Sequence, residues 1–171
     1  MSFVSIETPR LLLRPLQLSD MDVYYERIYG DDEVMRYLPA GKAISRERFE
    51  SRIPPFMMEP WNTRGFAPWV VINKADQEFI GHCGLNPWPN SDDIEVLYAF
   101  AKPWWGQGFA SEAAKASVDY GFAQLGLSKI IAAAHIKNIA SQRVIEKLGM
   151  QLQYEQEWSG MPLKMYALTR P

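Results

Sequence analysis

Gly106-Gln-Gly108 lies between an extended apolar run, Ile94–Ala101, and a segment opening Phe109-Ala-Ser-Glu-Ala113 that reads as a helix. A glycine turn that carries a strand into a helix does its chemistry through the backbone. The first N–H groups of a helix have no partner within it, and together with the helix dipole they favour a phosphate or pyrophosphate. Glycine allows the backbone to approach such a ligand closely. A tight strand–helix turn with nothing bound shares the same local pattern. Two other phosphate motifs fit poorly. A dinucleotide fingerprint wants a third glycine where Ser111 stands, and an acidic residue ending the next strand, where His135-Ile136-Lys137 stands. A phosphate loop wants a Gly-Lys-Ser/Thr run, which the chain lacks.

A second polar helix start follows the next strand. Asn138 suits an N-cap for a short helix over 140–148, with Ser141 in its first turn and Gly149 at its end. Two such starts on neighbouring strands can open on one cleft, which suits a polyanionic cofactor. Other reactive side chains are sparse. Cys83 is the only cysteine, so neither an internal disulfide nor a Cys-rich zinc site is available. His82 is its neighbour on a strand, where adjacent side chains point to opposite faces, so the two make a poor dyad. Two isolated histidines and no carboxylate cluster predict no metal site.

The elements that must position these residues alternate between strand and helix. Leu11–Arg14 reads as a strand stopped at Pro15. Ser19 is expected to cap a helix running to Tyr29, and Ser45 a second helix that ends at Pro54-Pro55 or soon after. Residues 57–68 read as loop. Runs 69–72 and 79–85 form a hairpin, and 94–101 and 129–136 are strands. The helix over 110–125 carries one stripe of Ala113, Ala116, Tyr120, Ala123 and Leu127, with Gly126 as its stop. Two last strands, 150–158 and 165–169, hinge at Ser159-Gly160. The mixture predicts an α/β (α+β) fold.

Length and composition bound the class. A chain of 171 residues is expected to form one domain over residues 1–171. Apolar residues make up 47% and charged residues 22%, which is the balance of a globular protein rather than a disordered tail or a coiled coil. A net charge of −2 offers no basic field, so nucleic acid is not the expected partner. The N-terminus lacks the basic and apolar regions of a signal peptide, and apolar runs such as 130–134 are too short to span a bilayer. No membrane partner is expected, and the cytoplasm is the expected compartment. Aromatic residues, at 13%, are abundant and serve cores and binding surfaces alike.

Taken together, Trp105-Gly-Gln-Gly-Phe-Ala-Ser-Glu-Ala113 resembles the pyrophosphate motif of the GCN5-related N-acetyltransferases. Asn138-x-x-Ser141 with Glu146-Lys-Leu-Gly149 resembles the motif that follows it. Thr8-Pro-Arg-Leu-Leu-Leu-Arg14-Pro15 is similar to the subgroup containing ribosomal-protein N-terminal acetyltransferases, and Ile80-Gly81 and Glu95-x-x-Tyr98 fall in the right order. The likeness covers about residues 7–169. It implies a twisted mixed sheet of about six to seven strands with about four helices, splayed in a V between 94–101 and 129–136. Acetyl-CoA would lie in the V, with no metal. Its pantetheine would pair with backbone around Tyr98 and Phe100. Its pyrophosphate would meet the turn at Gly106, Gln107, Gly108, Phe109, Ala110 and Ser111. Asn138 and Ser141 would sit near the thioester.

The implied reaction is direct attack of a primary amine, on a protein N-terminus or a small molecule, upon the thioester. Glu95 is the candidate base, with a solvated strand carboxylate as its bland alternative. A β-strand N–H would hold the oxyanion. Two positions depart from the family pattern. Trp105 stands where Arg or Gln is usual, and Ile145 stands where many relatives carry an acidic tyrosine. Ser141 is the nearest polar substitute for that tyrosine. Glu112, at the start of the phosphate-binding helix, should point away from the phosphates. Trp61, Trp88 and Trp158, with Asp92, Asp93, Glu155 and Glu157, are placed by the resemblance on the acceptor side. A catalytically silent acyl-CoA-binding module is the alternative from another class. Monomer and homodimer are both open.

Overall fold

The computed structural model describes residues 4–170. Eight strands form one open sheet: β1 (Ile6–Glu7), β2 (Leu11–Arg14), β3 (Trp69–Asn73), β4 (Phe79–Pro87), β5 (Ile94–Phe100), β6 (Lys129–His135), β7 (Gln151–Trp158) and β8 (Met161–Thr169). Their order is β1-β2-β3-β4-β5-β6-β8-β7. All neighbours are antiparallel except β5 and β6. The five α-helices are α1 (Met21–Tyr24), α2 (Asp32–Met35), α3 (Arg46–Arg64), α4 (Phe109–Ala123) and α5 (Ile139–Lys147). The sheet therefore has one or two more strands than the resemblance implied, and the mixed α/β class holds.

β3 and the first seven residues of β4 are buried throughout, as strands covered on both faces must be. Leu11, Leu13, Trp69, Val71, Cys83 and Leu85 pack on one face with Phe109, Ala113 and Val118 of α4 and Ile145 of α5. On the other face, Val70, Ile72, Phe79 and Ala99 pack with Tyr24, Ile28, Phe49, Ile53 and Met57. His82 and Cys83 divide between these two faces as strand alternation requires. His82 lies against Tyr24 and Tyr29, and Cys83 beneath Ser117 of α4.

Three expectations about the helices are corrected. Ser19 is not a cap. It lies inside a tight turn, Leu18–Asp20, and the Asp20 carboxylate accepts the Gln17 N–H at 2.8 Å while Arg14 grips it with two more bonds of 2.8 Å. A carboxylate held this way outcompetes a hydroxyl for the orphan donor. Beyond α1 the helix widens into a π turn, Tyr25–Tyr29, closed by the Gly30 N–H on the Tyr25 carbonyl at 2.7 Å.

α3 begins at Ser45 as expected, its hydroxyl accepting from the Arg48 N–H. The helix then runs through Pro54, Pro55 and Pro60 to Arg64, where a break and a loop were expected. A proline inside a helix costs about 3 kcal/mol. Against that, Phe49, Ile53, Met57 and Trp61 recur every four residues and are all buried, and each contributes about 1.5–3 kcal/mol. Tertiary burial therefore outweighs local propensity. The same packing removes Trp61 from the acceptor side, because it is only 3% exposed and lies edge-on to Trp69 in the core.

The buried stripe of α4 is also rotated from the one read off the sequence. It comprises Phe109, Ala113, Ala114, Ser117, Val118 and Gly121, and Ala123 is exposed. Small residues let α4 lie close to the sheet. A Cβ on Gly121 would come within 2.8 Å of Ile130 Cδ1. β8 starts at Met161, four residues earlier than expected, since Ser159 and Gly160 both take positive φ and turn the chain immediately.

Gly81 is the tightest point of the sheet. A Cβ there would lie 2.2 Å from the Ala99 carbonyl oxygen and 2.9 Å from Phe100 Cα, both on β5. Backbone cannot yield as a side chain can. Gly81→Ala is expected to destabilise the fold by about 1–3 kcal/mol or more, read as a lower denaturant midpoint at unchanged slope.

Among the described residues no helix is long and apolar enough to cross a membrane. No group of three or more His, Cys, Asp or Glu side chains among them is placed to hold a metal ion.

Candidate active site

The site forms where the sheet parts. β4 pairs with β5 along all of β5, and β6 pairs with β8 along all of β6. Between β5 and β6 one residue pair is in register, Glu95 with Ile131. Beyond it the two parallel strands diverge, which is the V expected from the resemblance. The divergent ends of β5 and β6 lead directly to the glycine turn and to the start of α5.

Glu95 stands at the vertex of the V. Its Oε1 accepts from the Asn86 amide at 3.0 Å, across the β4–β5 register that pairs these two residues. Burial pushes its carboxyl up to about 7, with the Asn86 bond pulling the other way. A carboxyl poised there is half ionised at neutral pH, the condition that best suits a general base. The solvated strand carboxylate does not describe this residue.

Tyr98 and Ser141 meet across the V. The Tyr98 hydroxyl lies 2.9 Å from Ser141 Oγ and donates to the Ser141 carbonyl at 3.1 Å. Burial raises the Tyr98 phenol well above the ordinary tyrosine range, so it remains protonated at neutral pH. Asn138 caps α5 through its Oδ1, which accepts the Ser141 N–H at 3.1 Å. That bond fixes Ser141 in the first turn. Ile145 is 1% exposed and faces the core, so its position supplies no proton donor to the cleft.

The glycine turn has the backbone its residues require. Gly106 and Gly108 take φ of 72° and 82°, and Gly108 is the residue from which α4 starts. The N–H groups of Phe109, Ala110 and Ser111, in the first turn of α4, have no acceptor within the helix. Gln107 is exposed and its amide returns to the Pro103 carbonyl at 2.8 Å. Ser111 is half-buried, and the Phe109 ring is buried. Glu112 does point away from this turn, toward Thr8 and Arg10. The residues present therefore fit a polyanionic cofactor, with free amides ahead and the nearest carboxylate turned aside.

Phe100 contributes its ring to the core, leaving only backbone for a cofactor. Its carbonyl accepts the Trp105 indole N–H at 2.5 Å. Trp105 is 48% exposed and folds back over the strand end, a role that the sequence left between cofactor and core.

On the opposite face of the sheet, Trp88 and Trp158 lie against each other with ring centroids 5.3 Å apart, beside Ile131, Leu163 and Met165. Asp93 is ion-paired to Lys129 at 2.6 Å. Tyr37 and His135 face each other at 5.1 Å. Cys83 is set aside as a nucleophile, because burial pushes its thiol up to about 12. Burial likewise drives His82 down to about 4, so it is neutral.

Three participants were missed in the sequence. Asn86 and the Tyr98–Ser141 contact depend on strand register and on a helix 43 residues away. Arg10, which touches the glycine turn, is 97 residues from it. A carboxylate in the first turn of α4 was the one signal that a cation should be sought.

Solved structures share this architecture. A GNAT-family acetyltransferase from Bacillus anthracis is 27% identical, with a TM-score of 0.82 over 97% of this chain and 98% of that one. RimL, a ribosomal L7/L12 alpha-N-protein acetyltransferase in complex with coenzyme A, is 16% identical with a TM-score of 0.80, covering 97% and 98%. The fold is that of an acetyltransferase. The acetyltransferase (GNAT) domain profile matches residues 10–151, and this chain belongs to that family. Among curated relatives, YkkB of Bacillus subtilis (strain 168) is 35% identical over 84% of this chain and 83% of its own length. YoaA of the same strain, an uncharacterized N-acetyltransferase, is 31% identical over 99% of this chain and 98% of its own length. The chain is accordingly an acetyl-CoA-dependent N-acetyltransferase.

Tyr98→Phe removes the phenol without removing the ring. It is expected to lower kcat by about tenfold, the worth of the hydrogen bond that the hydroxyl makes with Ser141, while leaving the affinity for coenzyme A intact. Steady-state kinetics with a calorimetric binding control checks this.

Proposed function

We propose that the protein transfers the acetyl group of acetyl-CoA directly to a primary amine, with Glu95 as general base and Ser141, backed by Tyr98, as proton donor. The observation that carries this reading is the half-buried carboxylate of Glu95, bonded to the Asn86 amide where β5 and β6 part. In this reading the N–H groups from Gln107 to Ser111 bind the pyrophosphate. The β5 backbone at Tyr98, and at Phe100 once the Trp105 indole releases its carbonyl, aligns the pantetheine. Asn138 and Ser141 border the thioester.

The acceptor arrives as an ammonium ion. Glu95 takes its proton, directly or through one water, and frees the lone pair for attack on the thioester carbonyl. A β5 backbone N–H stabilises the oxyanion. As the tetrahedral intermediate collapses, the C–S bond breaks, and Ser141 Oγ protonates the departing thiolate. Tyr98 resupplies that proton across their 2.9 Å contact and is itself restored by the second proton of the attacking nitrogen, carried through water, so that the amide, the free thiol and one proton on Glu95 result. Cys83 is buried and holds its proton, so no acetyl-enzyme is needed.

The paired rings of Trp88 and Trp158 support an acceptor whose amine is attached to an apolar group. The names of relatives and neighbours, N-acetyltransferases and ribosomal-protein acetyltransferases, leave both protein N-termini and small amines within the class. A thiol-release assay over a panel of peptide N-termini, amino acids, polyamines and arylalkylamines tests the reading. Release that depends on the amine supports it. Tight binding of coenzyme A with no release on any amine supports the silent binding module instead.

A further inference from the structure

Arg10 occupies the bend between β1 and β2, yet its side chain reaches the glycine turn from behind. Its Nε donates to Glu112 Oε2 at 2.6 Å and its Nη1 to the Gln107 carbonyl at 2.9 Å. The guanidinium lies 4.3 Å above the Phe109 ring, and a Cβ on Gly108 would be 3.4 Å from Nη2. Glu112 Oε1 accepts from the Thr8 hydroxyl at 2.6 Å and from the Arg10 backbone N–H at 2.9 Å. Burial alone would raise the Glu112 carboxyl, but these donors together hold it below the ordinary carboxylate range, so it is ionised. One guanidinium thus holds Gln107 and Phe109, on either side of Gly108, and the first carboxylate of α4.

The geometry has a direct consequence for the turn. In a trans peptide the C=O and the following N–H point in opposite directions. Pinning the Gln107 carbonyl toward Arg10 therefore sends the Gly108 N–H to the side remote from Arg10. Pinning Glu112 beside Arg10 keeps a negative charge off the start of α4, where it would repel a phosphate. Lysine cannot reproduce this, because its single ammonium lacks the planar fork that serves two acceptors and a ring at once.

We propose that Arg10 is a positioning residue for the cofactor's pyrophosphate: it sets the peptide plane of Gln107–Gly108 and draws Glu112 aside, and the affinity for coenzyme A depends on both. This inference rests on the proposed reading of the turn as the pyrophosphate site. Its test compares acetyl-CoA with S-acetylpantetheine, a thioester that has the same reactive end and no pyrophosphate. Arg10→Ala is expected to raise the Kd for coenzyme A and the KM for acetyl-CoA about tenfold or more, the worth of one charge-assisted hydrogen bond. Arg10→Lys is expected to behave like Arg10→Ala. kcat/KM with S-acetylpantetheine should stay near the wild-type value in both. Arg10→Gln, a milder change should Arg10→Ala fold poorly, lacks the charge and the fork and is expected to weaken coenzyme A binding in the same selective way. Wild-type affinity in these variants, or an equal loss with both thioesters, overturns the inference while leaving the site reading in place. Wild-type protein that binds no coenzyme A overturns the site reading, and this inference with it.

Discussion

Replacing Glu95 with glutamine is expected to lower kcat by about 10²- to 10⁴-fold, the usual worth of a general base, with little change in affinity for coenzyme A. Glutamine keeps the size of the side chain and can still bond to Asn86, so packing at the vertex survives. What it loses is the capacity to accept a proton. In the wild type, kcat/KM should rise with pH through an apparent pKa of about 7, the value at which burial holds this carboxyl. In Glu95→Gln that limb should vanish.

Stability should move the opposite way. A carboxyl whose folded pKa lies above its unfolded value binds protons more tightly in the native state. Its contribution is fully present below the unfolded pKa of 4.5 and is lost as pH rises toward 7. Ionised Glu95 therefore costs the native state on the order of 3 kcal/mol above neutrality. The variant should melt higher than the wild type at alkaline pH, with the difference shrinking toward pH 4.5. A slower enzyme whose stability advantage grows as pH rises from 4.5 to about 7 is not the phenotype of a merely structural carboxylate.

Gly108→Val carries the second large effect. Gly108 holds φ at 82° where α4 begins. A β-branched residue avoids that region, and forcing it there costs about 1–3 kcal/mol or displaces the turn. Nothing bulky stands in the way, the nearest atom being Arg10 Nη2 at 3.4 Å, so the damage comes from the backbone angle itself. If the amides at the start of α4 hold the pyrophosphate, the Kd for coenzyme A should rise about 10- to 100-fold, matching that strain. The kcat at saturating acetyl-CoA should change far less. Gly126 provides the control. It has φ of 66° with no neighbour within 4 Å, and it lies at the far end of α4. Gly126→Val should lose stability without losing affinity. Equal affinity losses in the two variants would remove the turn from the cofactor site.

What could be read from the sequence follows from what is local. The glycine turn, the Asn138 cap and the hairpin of β3 and β4 announce themselves because each depends on the conformational needs of adjacent residues. The V between β5 and β6 came from the ordered motifs of a family and not from periodicity. α3 was misread because three prolines speak louder locally than Phe49, Ile53, Met57 and Trp61, whose burial decides the matter only once the sheet exists. The stripe of α4 was rotated for a related reason. Alanine marks no face by itself, and the close approach at Gly121 chooses the face. Glu95 was named as base from its place on β5. Its poise came from Asn86 and burial, which follow from strand register. Tyr98 was assigned through its backbone alone, while its hydroxyl meets Ser141 43 residues on. Trp61 joined the core, whereas Trp88 and Trp158 came together as a pair. The high aromatic content therefore divides between the main core and a separate cluster on the other face of the sheet.

The central claim is that the acetyl group passes straight from thioester to amine. Acetyl-CoA labelled in the acetyl group, mixed with excess enzyme and quenched before and after the amine is added, tests it most directly by mass spectrometry. The account predicts that label stays on coenzyme A until the amine arrives and then appears on the amine nitrogen alone, with one free thiol per acetyl transferred. Label on the protein before the amine is added, at Cys83 or elsewhere, would contradict it.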